Sequence, residues 1–512
     1  MTAVGALADS RALVQALRTR LGAECIETHI SWVLLAGECA YKLKKPLTLD
    51  FLDFSTLERR RTACAEEWRI NRRTAPDIYL DVVPITGSVA APCIGGDGPV
   101  IEVAVRMRRF PQEALLADCA ARGDLRGEHI DALARHIAAF HQAADVAPAG
   151  GPYGQADAIR QWVQGNFAPL AERVQGDAMV RLSDQLAALR QWTEAEGERL
   201  RPAFAARLAG GHVREGHGDL HLGNLIWWEG APQLFDAIEF NPQLRWIDTV
   251  ADVAFLFMDL HAHGLAPLAW RFINAWLDLT GDHAGLALLP FYAVYRALVR
   301  AKVAALRMGA PDDEHAREVA RYLQLAHELA QPRERMLWLA SGVSGSGKSS
   351  QSQPLIESRG IVRLRADVER KRLFGLAPEA SSQSLPESIY TPEASARTYA
   401  ALRERARQVL EAGFAVLVDA TLLRRAHRAG FIALATRLGV RCRLLVFDAP
   451  VELLRERVRR RAAEGRDASE ATLEVLERQL IEREPLTAAE QALAIQVDTS
   501  LPVDWAVLPL DA

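Results

Sequence analysis

The first hundred residues combine helical patterns with short runs typical of β-strands. The start, MTAVGALADSRALVQALRTRL, is typical of an amphipathic helix. Residues 29–45, HISWVLLAGECAYKLKK, predict two short strands joined by a hairpin-type turn at Gly37–Glu38. A helix is predicted over 55–74, with Ser55 as N-cap and Glu58 three residues later, as in a capping box.

The rest of the first half turns from strands to helices. Strand-like runs at 78–85 and 99–109 are followed by Phe110–Pro111, which breaks the pattern and predicts a hinge. From about 113 to 330 the pattern is mostly helical, interrupted by a Gly/His-rich loop and short strands at 213–247. An α+β fold is therefore predicted for the first half.

The sequence pattern changes after Gln331–Pro332. Strand-like runs alternate with long helices rich in Arg, Glu and Ala, which is typical of an α/β fold with a parallel sheet. These strand-like runs are 337–341, 361–364, 414–419 and 442–447. We therefore predict a first domain over 1–332, with a strand-rich lobe to about 110 and a helical lobe from about 111, and a second domain over 333–512.

The composition is that of an ordinary globular protein. The 512 residues exceed the roughly 100–200 residues of one domain, which agrees with several folding units. The formal charge of −4 provides no overall attraction to nucleic acid or to an anionic membrane, and this moderate acidity favours a small molecule as binding partner. Six cysteines without a C-x-x-C pair indicate neither a disulfide framework nor a zinc site and suit a reducing compartment.

The sequence predicts neither a secretory signal nor a membrane span. The start lacks the basic-then-apolar order of a signal peptide. The most apolar internal stretch, Val250 to Leu260, is interrupted by Asp252 and Asp259 and is too short to cross a bilayer. We expect a buried helix there, and a cytoplasmic protein without a membrane partner.

The first strand of the second domain runs into a loop rich in glycine and serine. Residues 342–349, GVSGSGKS, fit the pattern G-x-x-x-x-G-K-[ST] between a strand and a helix. Glycines let backbone N–H groups approach a β-phosphate without interference from a Cβ atom. Lys348 would reach the β- and γ-phosphate oxygens of ATP, and the Ser349 hydroxyl would ligate Mg²⁺. The residues predicted to bind ATP are Gly342, Gly345, Ser346, Gly347, Lys348, Ser349 and Ser350.

Charged residues at the ends of neighbouring strands complete this predicted site. Asp367 follows the second strand and can orient or deprotonate a substrate hydroxyl. Arg370, one helical turn later, can hold a substrate anion or the transferring phosphoryl group. Asp419 ends the strand FAVLVDAT, where a carboxylate can ligate the metal through water or bind substrate. We predict Asp367 and Arg370 as catalytic residues and Asp419 as a metal ligand.

An arginine-rich helix near the end of the chain predicts a lid. Its arginines, with the loop after it, are Arg455, Arg457, Arg459, Arg460, Arg461 and Arg466. Arg457 and Arg461 lie on one face at i,i+4 spacing, so we expect these two to close over the triphosphate. Arg457 is predicted to bind the nucleotide and Arg461 to be catalytic, whereas the other arginines fit a solvated basic helix.

Residues 336–490 resemble the P-loop kinases of small molecules and polynucleotides, close to the ATP-binding "predicted kinase" families. The resemblance rests on the phosphate loop, on D-x-x-R at 367–370, on V-D-A-T at 418–421 and on L-x-x-R-x-x-x-R at 454–461. It implies phosphoryl transfer from ATP to a hydroxyl, with Asp367 as the base and Arg461 in the lid. The resemblance does not specify the acceptor.

The Gly/His-rich loop of the first domain carries a second set of polar residues. HGDLHLGN at 217–224 places Asn224 five residues after Asp219. Kinase-type phosphotransferases use such a pair, in which the aspartate accepts or orients the hydroxyl and the asparagine holds Mg²⁺. Twelve residues beyond Asn224, the run QLFD ends in Asp236, which is predicted to be the second metal ligand. We predict Asp219 as catalytic, and we expect both histidines of the motif to shape the loop by donating hydrogen bonds rather than to bind zinc.

Two lysines on the predicted hairpin are candidates for contact with the α- and β-phosphates. In YKLK, residues 41–44, the alternation of a strand puts both lysines on one face. We prefer Lys44, by register with the V-A-I-K strand of kinases, and keep Lys42 as the alternative. The lysine is expected to pair with Glu67 or Glu66 of the following helix. An exposed lysine pair on an edge strand is the remaining interpretation.

These residues make 25–330 resemble the aminoglycoside phosphotransferase family, which implies a two-lobed, kinase-like fold. The HGDLHLGN loop is close to that family's motif, Asp236 stands where its metal aspartate is expected, and D-x-x-x-D at 248–252 would support the loop. The sequence departs from the family because it has no glycine-rich phosphate loop, so the Ala36–Gly37 turn would have to cover the triphosphate. It also shows no acidic cluster for a polycationic antibiotic.

The whole chain resembles bacterial proteins described as bifunctional aminoglycoside phosphotransferase/ATP-binding proteins. The leading hypothesis is a pair of kinases in one chain that use ATP and Mg²⁺, each transferring the γ-phosphoryl group to a hydroxyl of a small molecule. A second hypothesis makes the P-loop half a nucleotide-sensing regulator of the other half. A third is a kinase that acts on the 5′-hydroxyl ends of nucleic acid.

Overall fold

The computed structural model describes residues 3–49, 52–174, 180–309, 313–382, 385, 388–464 and 469–510, and these pack as two units. Unit 1 comprises Met1–Ala132, Ala139–Asn166 and Gly197–Asp259, and unit 2 comprises Leu133–Ala138, Phe167–Glu196 and Leu260–Ala512. The helices that follow Leu260 therefore pack with the P-loop part of the chain. The domain division near residue 332 stays a prediction.

In the described part of unit 1, six strands form an antiparallel sheet. The strands of this region are β1 (Glu24–Glu27), β2 (Ser31–Ala36), β3 (Cys39–Lys44), β4 (Thr48–Leu49), β5 (Leu52–Asp53), β6 (Tyr79–Gly87), β7 (Pro92–Ile94) and β8 (Val100–Arg108). The sheet order is β1-β2-β3-β8-β6-β7, and β4 pairs with β5 separately. The predicted hairpin is confirmed, because β2 and β3 pair around Gly37, whose φ of +58° favours glycine.

Two helices flank this sheet. The first, α1 (Ala3–Leu21), packs its apolar residues against one face of the sheet. The second, α2 (Leu57–Asn71), has Thr56 as N-cap, and the Thr56 hydroxyl accepts from Arg59 N at 3.3 Å. The prediction of Ser55 as N-cap is therefore wrong by one residue. The physical reason is that Ser55 N donates to the Asp53 carboxylate at 3.0 Å, which forms a local turn ahead of the helix.

The chain between the two large sheets is mostly helical, as predicted. The helices are α3 (Leu116–Ala121), α4 (Gly127–Ala143), α5 (Ala156–Gln164), α6 (Phe167–Arg173), α7 (Val180–Arg199), α8 (Arg201–Ala209), α9 (Pro242–Arg245), α10 (Thr249–Ala262), α11 (Ala266–Thr280), α12 (Leu289–Arg307) and α13 (Glu314–Ala330), with 3₁₀ turns at Gln112–Ala114, Leu222–Asn224 and His283–Leu288. The short strands β9 (Val213–Glu215), β10 (Leu225–Trp228), β11 (Ala231–Leu234) and β12 (Trp246–Asp248) interrupt the helices. They form two antiparallel pairs, β9 with β12 and β10 with β11.

Two apolar helices lie in the interior of this helical region. Residues 250–260 of α10 are all buried, which confirms the predicted buried helix. Within the described residues, the stretch His283–Arg307 is long and apolar enough to cross a membrane by length and composition. Because 72% of its apolar window is buried by the rest of the fold, its surroundings are those of a core helix.

A parallel sheet forms the centre of the P-loop part. Its described strands are β13 (Met336–Ser341), β14 (Val362–Arg365), β15 (Val416–Asp419), β16 (Arg441–Asp448) and β17 (Ala494–Asp498), in the order β14-β15-β13-β16-β17. The helices are α14 (Lys348–Gln351), α15 (Gln353–Arg359), α16 (Ala366–Leu373), α17 (Pro392–Glu411), α18 (Arg425–Leu438), α19 (Val451–Glu464), α20 (Leu473–Glu482) and α21 (Ala488–Gln491). The fold classes are confirmed, an α+β part followed by an α/β part with a parallel sheet. The strand β17 was not predicted, because a short, half-exposed edge strand leaves little pattern.

Candidate active sites

The phosphate loop, residues 342–349, joins β13 to α14 and has a shape that only glycine permits at several positions. Gly345 and Gly347 have φ of +82° and +78°, in the left-handed region. A Cβ atom on Gly342 would lie 2.5 Å from Ser346 Oγ and 2.6 Å from the Phe447 carbonyl oxygen. The loop therefore forms the cradle that its sequence predicts.

The lysine and serine of this loop lie beside the predicted carboxylates. Lys348 Nζ donates to the Gly342 carbonyl oxygen at 2.8 Å, and Ser349 Oγ donates to Asp419 Oδ2 at 2.6 Å. Burial lowers the pKa of Lys348, while the charges of Asp419 and Asp367 act in the opposite direction. A hydroxyl and a carboxylate are oxygen ligands that suit Mg²⁺. The pair Ser349 and Asp419 therefore fits the predicted metal site.

Asp367 lies in the first turn of α16 and Arg370 in its last. The Arg370 guanidinium is buried, donates to the Ile389 carbonyl oxygen at 3.0 Å and to Ser395 Oγ at 3.2 Å, and lies 5.0 Å from the centre of the Tyr390 ring. Burial raises the pKa of Tyr390, and the negative charge of Asp367 raises it further. Asp367 and Arg370 thus share one neighbourhood with the exposed Tyr390.

The two predicted lid arginines differ in their contacts. Arg457 donates to the Thr499 carbonyl oxygen at 2.6 Å and to Thr499 Oγ1 at 3.0 Å, and Thr499 Oγ1 donates to the Ser346 carbonyl oxygen at 2.9 Å. Arg457 therefore stabilises the phosphate loop through Thr499. Arg461 donates to the Ala471 carbonyl oxygen at 3.3 Å, and its charge adds to the lowering of the Lys348 pKa. Arg466 lies outside the described residues.

Two further contacts concern the phosphate loop. The Ser350 hydroxyl donates to the Gly347 carbonyl oxygen at 3.3 Å. Gln479 of α20 accepts a hydrogen bond from Ser344 N at 2.7 Å. Thr499 and Gln479 were not among the predicted site residues, since each is far from the loop in sequence and neither belongs to a recognisable motif.

In unit 1, the loop of residues 217–224, which we name the catalytic loop for the role that its motif predicts, places its aspartate and asparagine together. Asn224 Nδ2 donates to Asp219 Oδ2 at 2.9 Å and to the Asp219 carbonyl oxygen at 3.0 Å. The amide group is thereby oriented with its oxygen available to a cation. Phe235 N donates to the Asn224 carbonyl oxygen at 3.0 Å at the base of the β10–β11 hairpin. Asp236, the next residue, therefore lies at the same end of the hairpin as Asn224.

The predicted metal aspartate has an unusual backbone. Asp236 has a φ of +61°, in the left-handed region that a non-glycine residue seldom adopts. Its N–H donates to Tyr79 Oη at 3.1 Å, and its carboxylate contacts Lys42 while remaining 41% exposed. Such backbone strain concentrates at functional sites. An amide oxygen and a carboxylate are both ligands that Mg²⁺ accepts, so Asn224 and Asp236 fit a metal site.

Both lysines of β3 reach the same glutamate of α2. Lys42 Nζ lies 2.7 Å from Glu67 Oε1, and Lys44 Nζ lies 2.5 Å from Glu67 Oε2. Burial alone would raise the pKa of Glu67, but Lys42 and Lys44 lower it to about 2. The expected lysine–glutamate pair therefore forms with Glu67, whereas Glu66 pairs with Arg69 at 2.7 Å.

The surroundings of the two lysines differ. Lys44 is 1% exposed and lies between Glu67 and Glu239, with which it forms a second ion pair. Lys42 contacts Asp236 as well as Glu67, so it is the lysine at the predicted metal site. Glu239 was not predicted. The sequence shows that it lies three residues from Asp236, but not that it is buried against Lys44 of β3.

Carboxylates of α10 support the catalytic loop. Asp252 accepts from His217 N at 2.7 Å and from Gly218 N at 2.8 Å, which confirms the supporting role for the second aspartate of D-x-x-x-D. The first, Asp248, instead accepts from Arg207 Nη2 at 2.8 Å. His217 Nε2 donates to the Phe235 carbonyl oxygen at 2.9 Å, and burial lowers the His217 pKa, which favours the neutral ring. His221 Nδ1 accepts from Gly223 N at 3.1 Å. Both histidines therefore shape the loop.

Comparison with known proteins finds a family model for the P-loop part and a relative that shares most of the chain. Residues 337–486 match the family model described as an AAA domain. The "Uncharacterized protein Rv2004c" of Mycobacterium tuberculosis (strain ATCC 25618 / H37Rv) is 32% identical over 401 residues, which are 77% of this chain and 77% of that protein.

Solved kinase structures resemble single parts of the chain. "Amicoumacin kinase hAmiN in complex with AMP-PNP, Ca2+ and Ami" is 14% identical with a TM-score of 0.42 and covers 64% of this chain and 95% of its own. A gluconokinase from Sinorhizobium meliloti 1021 is 23% identical with a TM-score of 0.25 and covers 33% of this chain and 86% of its own. At these scores neither likeness bears on the substrate.

Motif, fold and sequence identity now point the same way. The phosphate loop and parallel sheet make the C-terminal part a P-loop domain, and the paired lysine and glutamate with the catalytic loop make the N-terminal part kinase-like. With 32% identity over 77% of both chains, the protein belongs to the family of the mycobacterial protein Rv2004c and joins a kinase-like part to a P-loop part.

Proposed function

We propose that this chain is a cytoplasmic ATP- and Mg²⁺-dependent phosphotransferase with two nucleotide sites, each transferring the γ-phosphoryl group to a hydroxyl of a small molecule. One observation carries the proposal. In each unit a lysine lies near a carboxylate suited to Mg²⁺, since Lys42 contacts Asp236 and the charge of Asp419 acts on Lys348. A lysine for phosphate oxygens beside a metal carboxylate is the common requirement of enzymes that transfer phosphoryl groups.

In unit 1, we assign the phosphate contact to Lys42 rather than to Lys44. The burial of Lys44 between two glutamates supports this choice, because Glu67 and Glu239 already neutralise its charge, whereas Lys42 contacts the proposed metal ligand Asp236. Asn224 and Asp236 would hold Mg²⁺, which neutralises negative charge on the phosphate oxygens. Asp219 would orient the acceptor hydroxyl and take its proton as the oxygen attacks phosphorus.

In unit 2, Lys348 would contact the β- and γ-phosphates, and Ser349 with Asp419 would hold Mg²⁺. Asp367 would accept the proton of the acceptor hydroxyl. The new bond joins the acceptor oxygen to the γ-phosphorus, the bond from that phosphorus to the bridging oxygen breaks, and ADP leaves. Arg370 would bind an anionic group of the acceptor or the transferring phosphoryl group.

The proposed lid of unit 2 would act on the same phosphates. Arg461 would lie over the triphosphate, and its electrostatic influence on Lys348 supports this position. Arg457 would help indirectly, because it fixes Thr499 and, through it, the phosphate loop.

The test uses full-length variants and a screen of acceptors. Sugars, nucleosides, aminoglycosides and their monophosphates are offered with ATP, and ADP release is measured. We expect Asp219→Asn to abolish one activity and spare the other, and Asp367→Asn to do the reverse. The control is Asp157→Asn, which removes an exposed carboxylate paired with Arg201 and should change neither activity.

The outcomes separate the proposal from its alternatives. Full turnover in both variants would show that the assigned bases are wrong. A P-loop part that only senses nucleotide would leave turnover unchanged in Asp367→Asn, while Lys348→Ala shifts the KM of the activity in unit 1. Phosphorylation of 5′-hydroxyl oligonucleotides, weakening steeply with salt, would instead identify a nucleic-acid kinase.

A further inference from the structure

The helix α11 covers the open edge of the parallel sheet in unit 2. Strand β14 is the edge strand, and such an edge otherwise presents unpaired N–H and C=O groups. The Asn274 side chain satisfies both kinds of group. Its Nδ2 donates to the Ile361 carbonyl oxygen at 3.0 Å, and its Oδ1 accepts from Arg363 N at 2.6 Å. One amide side chain therefore takes the place of a neighbouring strand.

The contact between α11 and the P-loop part is closely packed. A Cβ atom on Gly360 would lie 2.6 Å from the indole of Trp270, so only glycine fits there. Asn274 is 2% exposed, and Arg271 pairs with Glu357 of α15 at 3.0 Å. With little room to move, α11 holds the start of β14 in a fixed position.

The strand position fixed by Asn274 is linked directly to the phosphate loop. Asn274 binds the backbone N–H of Arg363. The guanidinium of the same residue donates from Nη1 to the Ser349 carbonyl oxygen at 3.1 Å. Burial lowers the pKa of Arg363, and the charges of Asp278 on α11 and of Asp419 counter this. A continuous series of hydrogen bonds therefore runs from Asn274 through Arg363 to the helix that carries the proposed metal ligand.

We infer that Asn274 and Arg363 are positioning residues of the P-loop nucleotide site, so that a helix on the other side of the predicted boundary at residue 332 sets the geometry of this site. The inference rests on the proposed function of unit 2. Displacing Arg363 would let α14 shift, and the Ser349 hydroxyl would move away from its place beside Asp419. Neither Asn274 nor Arg363 needs to touch the nucleotide to have this effect.

The test measures nucleotide affinity in full-length protein that carries Asp236→Ala, so that only the P-loop site binds. Calorimetry with a non-hydrolysable ATP analogue and Mg²⁺ gives the Kd. Because each substitution removes hydrogen bonds that hold the phosphate loop in its binding geometry, we expect Arg363→Met and Asn274→Ala each to raise the Kd about tenfold. Arg363→Lys, which keeps the cation, should restore most of the affinity.

The control substitution lies on the same helix. Arg271→Ala removes a contact of α11 with the P-loop part, but it leaves the path through Arg363 intact. It should lower the thermal unfolding temperature while the Kd stays within about twofold of the parent. The double variant of Asn274→Ala and Arg363→Met should bind no more weakly than the weaker single variant, because both act through one path.

The results that would overturn the inference are distinct from failure of the proposed function. An unchanged Kd in Arg363→Met overturns the inference even if Asn274→Ala does not fold, and so do additive losses in the double variant. If the parent carrying Asp236→Ala binds no analogue, or binds it equally well after Lys348→Ala, the proposed nucleotide site itself is wrong, and the inference falls with it.

Discussion

Replacing Lys42 or Lys44 by methionine should separate a nucleotide contact from a structural ion pair. Both side chains lie on β3 and both reach Glu67, so they differ chiefly in their second partner. Lys42 contacts Asp236, whose carboxylate is 41% exposed, and Lys44 contacts the buried Glu239. The two substitutions are therefore closely matched in position and in chemistry.

The expected magnitudes follow from these partners. Lys44→Met leaves Glu239 buried without its cation, and breaking a buried ion pair costs about 3–5 kcal/mol of unfolding free energy. Lys42→Met leaves Glu67 paired with Lys44 and leaves Asp236 partly in water, so the loss of stability is at most about 2 kcal/mol. Removing a charged hydrogen bond to phosphate weakens nucleotide binding on the order of 10- to 100-fold, and only Lys42→Met should show this loss.

The assay combines two measurements on full-length protein carrying Lys348→Ala, which silences the P-loop site. Denaturant unfolding gives the stability, and calorimetry with Mg²⁺ and a non-hydrolysable ATP analogue gives the Kd. Lys45→Met serves as control, since Lys45 pairs with the half-exposed Glu27 and should leave the Kd unchanged. A large loss of affinity in folded Lys44→Met with none in Lys42→Met would refute the assignment of Lys42 and support the register with the V-A-I-K strand.

Three further predictions concern unit 2. Ser349→Ala removes one of the two proposed metal ligands and should raise the Mg²⁺ concentration for half-maximal nucleotide binding about tenfold, measured by magnesium titration. Gly342→Ala places a Cβ atom 2.6 Å from the Phe447 carbonyl oxygen, so the loop must shift and the nucleotide Kd should rise at least about tenfold, measured by calorimetry. Burial lowers the pKa of His283 from 6.5 to about 4, so the unfolded chain takes up this proton first and stability falls by up to about 3 kcal/mol between pH 6.5 and 4. Denaturant unfolding should show a smaller fall over this range in His283→Asn, and an equal fall would contradict the prediction.

Local patterns allowed much of the fold to be predicted. The β2–β3 hairpin follows from alternation and from a glycine at the turn, and the phosphate loop follows from glycines whose positions are fixed by close contacts. The pairing of Ser349 with Asp419 was also foreseeable, because adjacent parallel strands end at the same edge of a sheet.

What could not be predicted depends on contacts between residues far apart in sequence. Glu239 gives no sign in the sequence that it is buried against Lys44. Asn274 stands in a helical pattern, and only the packing of α11 on β14 gives its amide the role of a strand neighbour. The preference for Lys44 over Lys42 rested on register alone, because alternation places both lysines on one face and cannot rank them.

If one chain holds two Mg²⁺-dependent ATP sites, the number of nucleotides that it binds should be two. Calorimetric titration of full-length protein with a non-hydrolysable ATP analogue and Mg²⁺ should give two nucleotides per chain. Lys348→Ala and Asp236→Ala should each reduce the number to one, and the double variant should bind none. A single nucleotide per chain in the unsubstituted protein, or a number that either substitution leaves unchanged, would contradict the presence of two sites.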